Sequence, residues 1–179
     1  MMKRLQRDAL LLYLIEALKS RKSWCGETHL QKATYFLQEL LGVPLGFKFI
    51  LYKYGPFSFD LRDEITAMRA DNMLIYKIQP EPYGPSIVPG ESFQTIKERF
   101  PITLEKYSKQ VEFIANIFGN KGVSELERLA TALYVTLEHD IAETDRSHKV
   151  NELKPHISIE EAQEAIDEVD NIIKTSKIL

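Results

Sequence analysis

Apolar residues recur along this chain at helical spacing over most of its length and at strand spacing in only a few short runs. From Lys3 to Ser20, Leu5, Leu11, Leu12, Ile15 and Leu18 form a wide apolar face uninterrupted by Gly or Pro, which predicts a buried helix. Thr28 to Leu41 predicts a second helix, with Leu30, Ala33, Leu37, Leu40 and Leu41 as its stripe, Thr28 and Gln31 as a capping box, and Gly42 and Pro44 as its stop. Phe59 to Ala70 places Leu61, Ile65 and Met68 on one face. Further on, Leu104, Tyr107, Val111, Ile114 and Phe118 trace a seam along a helix from Ile102 to Phe118, which Gly119 to Gly122 then ends. Ser124 and Glu127 read as the capping box of a helix carrying Leu126, Leu129, Leu133 and Leu137 to about Asp140. A last helix starts at Ser158, with Glu161 as its capping acid and Ile159, Ala162, Ile166, Val169 and Ile173 as its seam.

Strand signals are fewer. Phe47 to Tyr52 is rich in aromatic and β-branched residues and reads as a short strand, followed by a rigid corner at Tyr54-Gly55-Pro56-Phe57-Ser58. Pro56 keeps Gly55 out of the right-handed helical region, and Ser58 or Asp60 can cap the helix that follows. Met73 to Gln79 and Ser86 to Val88 are candidate strands joined by the turn-rich segment Pro80 to Pro85. The fold class is mainly α with a small β-hairpin or three-stranded sheet. Residues 1–90 form a winged-helix-like module containing the Tyr-Gly-Pro corner, and 91–179 a helical part packed on it as one compact unit, with a helical turn around Ser92 to Arg99 near the junction.

Composition supports a folded chain: 44% hydrophobic and 27% charged residues can bury a core without metal or disulfide. Cys25 is the single cysteine, so no intrachain disulfide forms, and a reducing, cytoplasmic setting is expected. The apolar run Leu10 to Ile15 is too short to cross a bilayer and no cleavage site follows it, so neither a signal peptide nor an anchor is expected. Net charge is −3, unevenly spread: residues 1 to 60 carry nine Lys and Arg against five Asp and Glu, a net of +4, and the remainder carries −7. No concentrated basic stripe of the kind that neutralises phosphates stands out.

Catalytic signatures are scarce. There is no Gly-rich phosphate loop and no Ser in a Gly-x-Ser-x-Gly setting. His139, Asp140, Glu143, Asp145 and His148 are the nearest approach to a ligand set, but the spacing is looser than zinc motifs, and a polar helix end leading into a loop accounts for it equally. Cys25 and His29 are four apart near a helix start, without a third group to orient them as a nucleophile and base. Neither a cofactor nor a metal is expected. The aromatic group Tyr52, Tyr54, Phe57 and Phe59 has only Lys48 and Lys53 interleaved, too few for a base-stacking platform, which leaves core packing or a protein-binding patch.

The stretch Leu30-Gln31-Lys32-Ala33-Thr34-Tyr35-Phe36-Leu37, then Tyr52-Lys53-Tyr54-Gly55-Pro56-Phe57-Ser58, then Leu61 to Ile75 resembles the YwgA-like and Panacea (SocA-like antitoxin) families, in which a Lys-Leu-x-Tyr-Leu helix precedes Tyr-Gly-Pro and a further helix. Leu153-Lys154-Pro155 with Ser158 to Ile166 is similar to a C-terminal piece of the YwgA-like group. The resemblance implies a non-enzymatic prokaryotic interaction domain, antitoxin-type or regulatory, that binds a partner protein directly. The residues expected to meet that partner are Tyr54, Gly55, Pro56, Phe57 and Phe59, with the acidic face of Glu160, Glu161, Glu164, Asp167 and Asp170 as a second surface for a basic target. The alternative is a winged-helix DNA-binding regulator using Arg62, Arg69 and Lys77, although Asp60, Asp63, Glu64 and Asp71 crowd the same helix. A third reading, a hydrolase with metal at His139, Glu143 and His148, is the least specific. The narrow seam from Ile159 to Ile173 also allows a homodimer.

Overall fold

Helix α1 (Arg4–Ser20) buries Leu10, Leu11, Leu12, Leu14, Ile15 and Leu18, too wide an apolar sector for a surface helix. The computed structural model describes residues 2–81, 84–138 and 140–179. Within them α1 packs along α5 (Pro101–Phe118) and against α4 (Phe93–Arg99), so the first helix of the chain finds its main partners in the second half. Helix α2 (Glu27–Tyr35) widens into a π-turn at Phe36–Leu40 and ends at Gly42, whose φ of +66° suits a residue without a Cβ.

The chain then forms β1 (Ile50–Tyr52) and β2 (Gly55–Phe57), helix α3 (Phe59–Ala70), and β3 (Leu74–Lys77) with β4 (Ser86–Pro89). Each strand pair is antiparallel, in register Tyr52↔Gly55 for the first hairpin and Lys77↔Ser86 for the second. The fold is therefore mainly helical with two small two-stranded sheets, and no three-stranded sheet forms among the described residues. The predicted strand at Phe47 is shorter than its composition suggests for a definite reason. The side-chain amide of Gln38 takes both Phe47 backbone groups, Nε2 donating to the carbonyl and Oε1 accepting from the N–H at 2.8 Å each, so pairing begins only at Ile50.

Helix α6 (Val123–Leu137) buries Leu126, Leu129 and Leu133 and packs on α2, on β2 and on α8 (Ile159–Ser176). Its cap differs from the expected one. The helix starts before Ser124, the Gly122 N–H is held by Glu125 Oε2 at 2.7 Å, and Glu127 points inward. Similarly, α2 starts at Glu27 rather than after Thr28. Ser158 and Glu161 do form a reciprocal box on α8, and Ser58 caps α3 by accepting from the Leu61 N–H. Between α6 and α8 lies a helix the pattern does not predict, α7 (Arg146–Leu153), which buries little apolar surface. Arg146 forks onto Asp170 of α8 at 2.7 and 2.8 Å, and Asn151 Nδ2 donates to the Ile157 carbonyl.

One continuous apolar core draws on residues from both halves of the chain, Leu14 and Leu37 as much as Ile114 and Leu133. Phe36 of the π-turn meets Phe118 of α5 edge to face at 4.8 Å. At its margin Asp8 is fully buried beside Glu64 of α3, which receives Arg4 and Arg7 from α1. Among the described residues no helix is long and apolar enough to cross a membrane.

Candidate functional site

The Tyr-Gly-Pro corner turns out to be a hairpin tip held from behind by polar side chains. Gln31, fully buried on α2, behaves like an adjoining strand: its Nε2 donates to the Ser58 carbonyl and its Oε1 accepts from the Ser58 N–H, both at 2.9 Å. This is why it does not serve Thr28 as a capping partner. Lys32, next along the helix, donates to the Pro56 carbonyl at 2.7 Å. Lys154, after α7, donates to the carbonyls of Tyr52 and Lys53 at 2.5 and 2.6 Å. Three separate side chains thus satisfy backbone groups that a two-stranded ribbon leaves open.

Burial gives this backing its electrostatic character. Lys32 and Lys154 are both nearly inaccessible, and between them lies the carboxylate of Glu127, 3.8 Å from Lys154 and 3.2 Å from His156 Nε2. The approach to His156 is an ion-pair distance without hydrogen-bond geometry, so Glu127 Oε1 stays without a hydrogen-bond donor. Burial pulls the Lys32 ammonium down to about 8, Glu127 working against the shift and Lys154 with it. Gly55 has φ +80°, and a Cβ there would lie 3.0 Å from Thr131 Oγ1 of α6. The glycine is required twice over, by its backbone angle and by the closeness of α6.

The outer face of the hairpin is aromatic. Tyr52, Phe57 and Phe59 pack ring against ring at 5.1 to 5.7 Å, and Tyr52, Tyr54 and Phe59 remain 52%, 49% and 39% exposed. Lys53 lies over the Tyr54 ring and Arg62 over the Phe59 ring, at 5.1 and 5.0 Å. Of the five residues expected to contact a partner, Tyr54 and Phe59 reach the surface, Phe57 is half-buried, and Gly55 and Pro56 are buried supports. Tyr52 joins the exposed set. A cavity of about 260 Å³ opens beside it, bordered by Lys32, Tyr52, Tyr54 and Arg62.

No protein-family model matches the sequence, and no match to a curated protein was found. Arg62 and Arg69 are exposed on α3 and Lys77 ends β3, while Arg69 stacks on Tyr76 at 4.7 Å. Asp140, Glu143, Asp145 and His148 are exposed, and His139 lies outside the described residues; among those described, no group of three or more His, Cys, Asp or Glu can hold a metal ion. Cys25 is buried and its thiol is pushed up to about 12 by desolvation, while His29 is hydrogen-bonded to the Phe118 carbonyl rather than to the thiol. On α8, Glu161, Glu168 and Asp170 are paired with Arg128, Lys121 and Arg146, which leaves less free acidic surface than the residue count suggests. The tethers Lys32 and Lys154 carry no periodicity signal and are marked only by their membership of the resembling motifs, while Gln31 stands out locally only as a cap for Thr28.

Proposed function

We propose that this chain is a protein-binding module, antitoxin-type or regulatory, that captures a partner protein on the aromatic face formed by Tyr52, Tyr54, Phe57 and Phe59. The observation that carries the reading is an exposed aromatic cluster on a hairpin whose backbone is clamped by buried side chains. Tyrosines on a fixed backbone lose little entropy when they are covered, and such anchors dominate interface energies. The cations Lys53 and Arg62 at the rim favour a partner surface with acidic residues around an apolar centre. The resemblance to Panacea and YwgA-like domains points the same way, with a toxin or a regulatory target as the partner.

The test is site-specific photo-crosslinking in the native host from position 54, compared with exposed Thr66 on α3, followed by reconstitution with the purified partner. A single partner captured from position 54 and not from 66 is expected. Tyr54→Ala should then weaken its binding at least tenfold with an unchanged melting temperature. Unaltered affinity would remove this face from the interface. Duplex DNA retained at about 50 mM salt and lost on substituting Arg62 and Arg69 would replace the reading with the DNA-binding alternative.

A further inference from the structure

The cavity beside the aromatic face does not stand alone. Glu27 and Thr28, in the first turn of α2, border both it and a larger cavity of about 480 Å³, so the two meet at that turn. The walls of the larger one are Trp24, Tyr76, Pro85, Ile87 and Val123, from the loop before α2, the second hairpin and the start of α6. Trp24 and Val123 are exposed, which opens it to the surface.

The two ends differ in chemistry. Around the larger cavity the polar groups are already engaged. Trp24 Nε1 donates to the Gly84 carbonyl at 3.3 Å, His29 is bonded to the Phe118 carbonyl, Lys121 is paired with Glu168 at 2.7 Å, Arg69 lies over the Tyr76 ring, and the charge of Arg62 acts on Glu27. What remains on offer is apolar wall, which suits an uncharged apolar side chain rather than an ion. At the aromatic end, Lys32, Lys53 and Arg62 border the cavity together with the carboxylate of Glu27, three cations to one acid. Lys32, at about 8, is still protonated at neutral pH, and the charge of Glu127 upon it is countered by Lys154. The rings beneath Lys53 and Arg62 carry no net charge, so this end stays positive.

We propose that the partner protein is held through a linear segment that crosses the first turn of α2, seating an apolar side chain between Trp24, Tyr76 and Val123 and an acidic side chain at Lys53 and Arg62. The inference rests on the reading of the aromatic face as the partner-binding site and adds the form and chemistry of what binds there. A helix with its side chains is roughly 10–12 Å across, and an extended chain at roughly 3.3 Å per residue crosses that width in three or four residues. The apolar and acidic anchors are therefore three or four positions apart in the partner's sequence.

The test extends photo-crosslinking of the full chain in its host to position 123, at the exposed start of α6, and maps the sites reached on the partner. Positions 54 and 123 are expected to reach one protein within a single short stretch, with its acidic residue toward the site reached from 54. A labelled synthetic peptide of that stretch, followed by anisotropy against the full chain, is expected to saturate, and to weaken at least fivefold when its acid is replaced by the amide or its apolar residue by alanine. Val123→Glu puts a charge at the mouth of the apolar cavity while suiting the first turn of α6, and should weaken the peptide at least tenfold. Should that variant melt lower than wild type, Thr28→Glu, in the first turn of α2, obstructs the crossing with the same consequence. Crosslinks from 54 alone, or from 54 and 123 to separate stretches of the partner, overturn the linear segment and leave the aromatic-face reading standing. No crosslink from 54 removes that reading, and the segment with it. A peptide that does not saturate by about 1 mM, or that binds folded Val123→Glu or Thr28→Glu as tightly as wild type, also overturns the segment.

Discussion

Replacing Gly55 by alanine tests whether the corner is held as tightly as its geometry implies. Two costs arise. At φ +80° a side chain meets its own backbone, a penalty of about 1–2 kcal/mol. The new Cβ also lies 3.0 Å from Thr131 Oγ1 and 3.4 Å from the Glu127 carbonyl, in a buried site where overpacking costs about 1–3 kcal/mol. Allowing for relaxation, Gly55→Ala should destabilise the protein by about 2–4 kcal/mol, read by urea denaturation followed by circular dichroism at constant m. The two costs separate in a double-mutant cycle. Thr131→Ala removes the crowding oxygen, whose own hydrogen bond only returns to the Glu127 carbonyl of the same helix. In that background Gly55→Ala should cost only the backbone penalty, leaving a coupling of about 1–2 kcal/mol. A loss below about 1 kcal/mol, or no coupling to Thr131, would refute the argument that α6 fixes the corner.

Gln31→Leu keeps the volume but leaves the Ser58 N–H and carbonyl buried without partners; a loss of about 2–5 kcal/mol is expected by chemical denaturation, and a neutral result would mean the clamp is dispensable. Asp8 gives a pH-dependent prediction. Burial, then the nearby Glu64 charge, push its carboxyl up to about 7, so the folded protein keeps a proton that the unfolded chain releases near its ordinary value of 3.8. Through this group stability rises as pH falls from about 7 toward 4, and above 7 the buried charge carries its full penalty. Asp8→Asn should therefore be more stable than wild type at pH 8, by about 1–3 kcal/mol, with the difference vanishing near pH 4; an equal difference at both pH values would show that Asp8 is not protonated in the fold.

Much of the fold is legible in the hydrophobic pattern because most elements bury a stripe through their own periodicity. Helix α3 spans the predicted Phe59 to Ala70, with Leu61, Ile65 and Met68 inside, and α5 and α8 follow their seams, although Ile159 ends up exposed and Ile172 is buried instead. Legibility fails where polar groups do the holding. Helix α7 is missed because ion pairs and an asparagine, not an apolar face, keep it in place. The β1 strand is overextended, and the caps at Thr28 and Ser124 misplaced, because glutamine and glutamate side chains have distant partners that outcompete local ones.

Gln31 and Gln38 make the point for the candidate site as well. They lie seven residues apart, Gln31 on α2 and Gln38 in the π-turn that continues it, and Gln31 reads locally as a capping partner for Thr28. In the fold each one instead occupies both backbone groups of a single residue, Ser58 or Phe47, and so α2 grips the chain before and after β1 and β2. Exposed Tyr52 and Tyr54 are visible in the sequence as an aromatic group; what fixes the backbone beneath them is a set of contacts spanning 9 to 102 residues, which no local pattern encodes. If partner binding depends on that rigidity, loosening a tether that never touches the partner, as in Lys154→Met, must weaken capture while leaving the exposed aromatic face chemically intact.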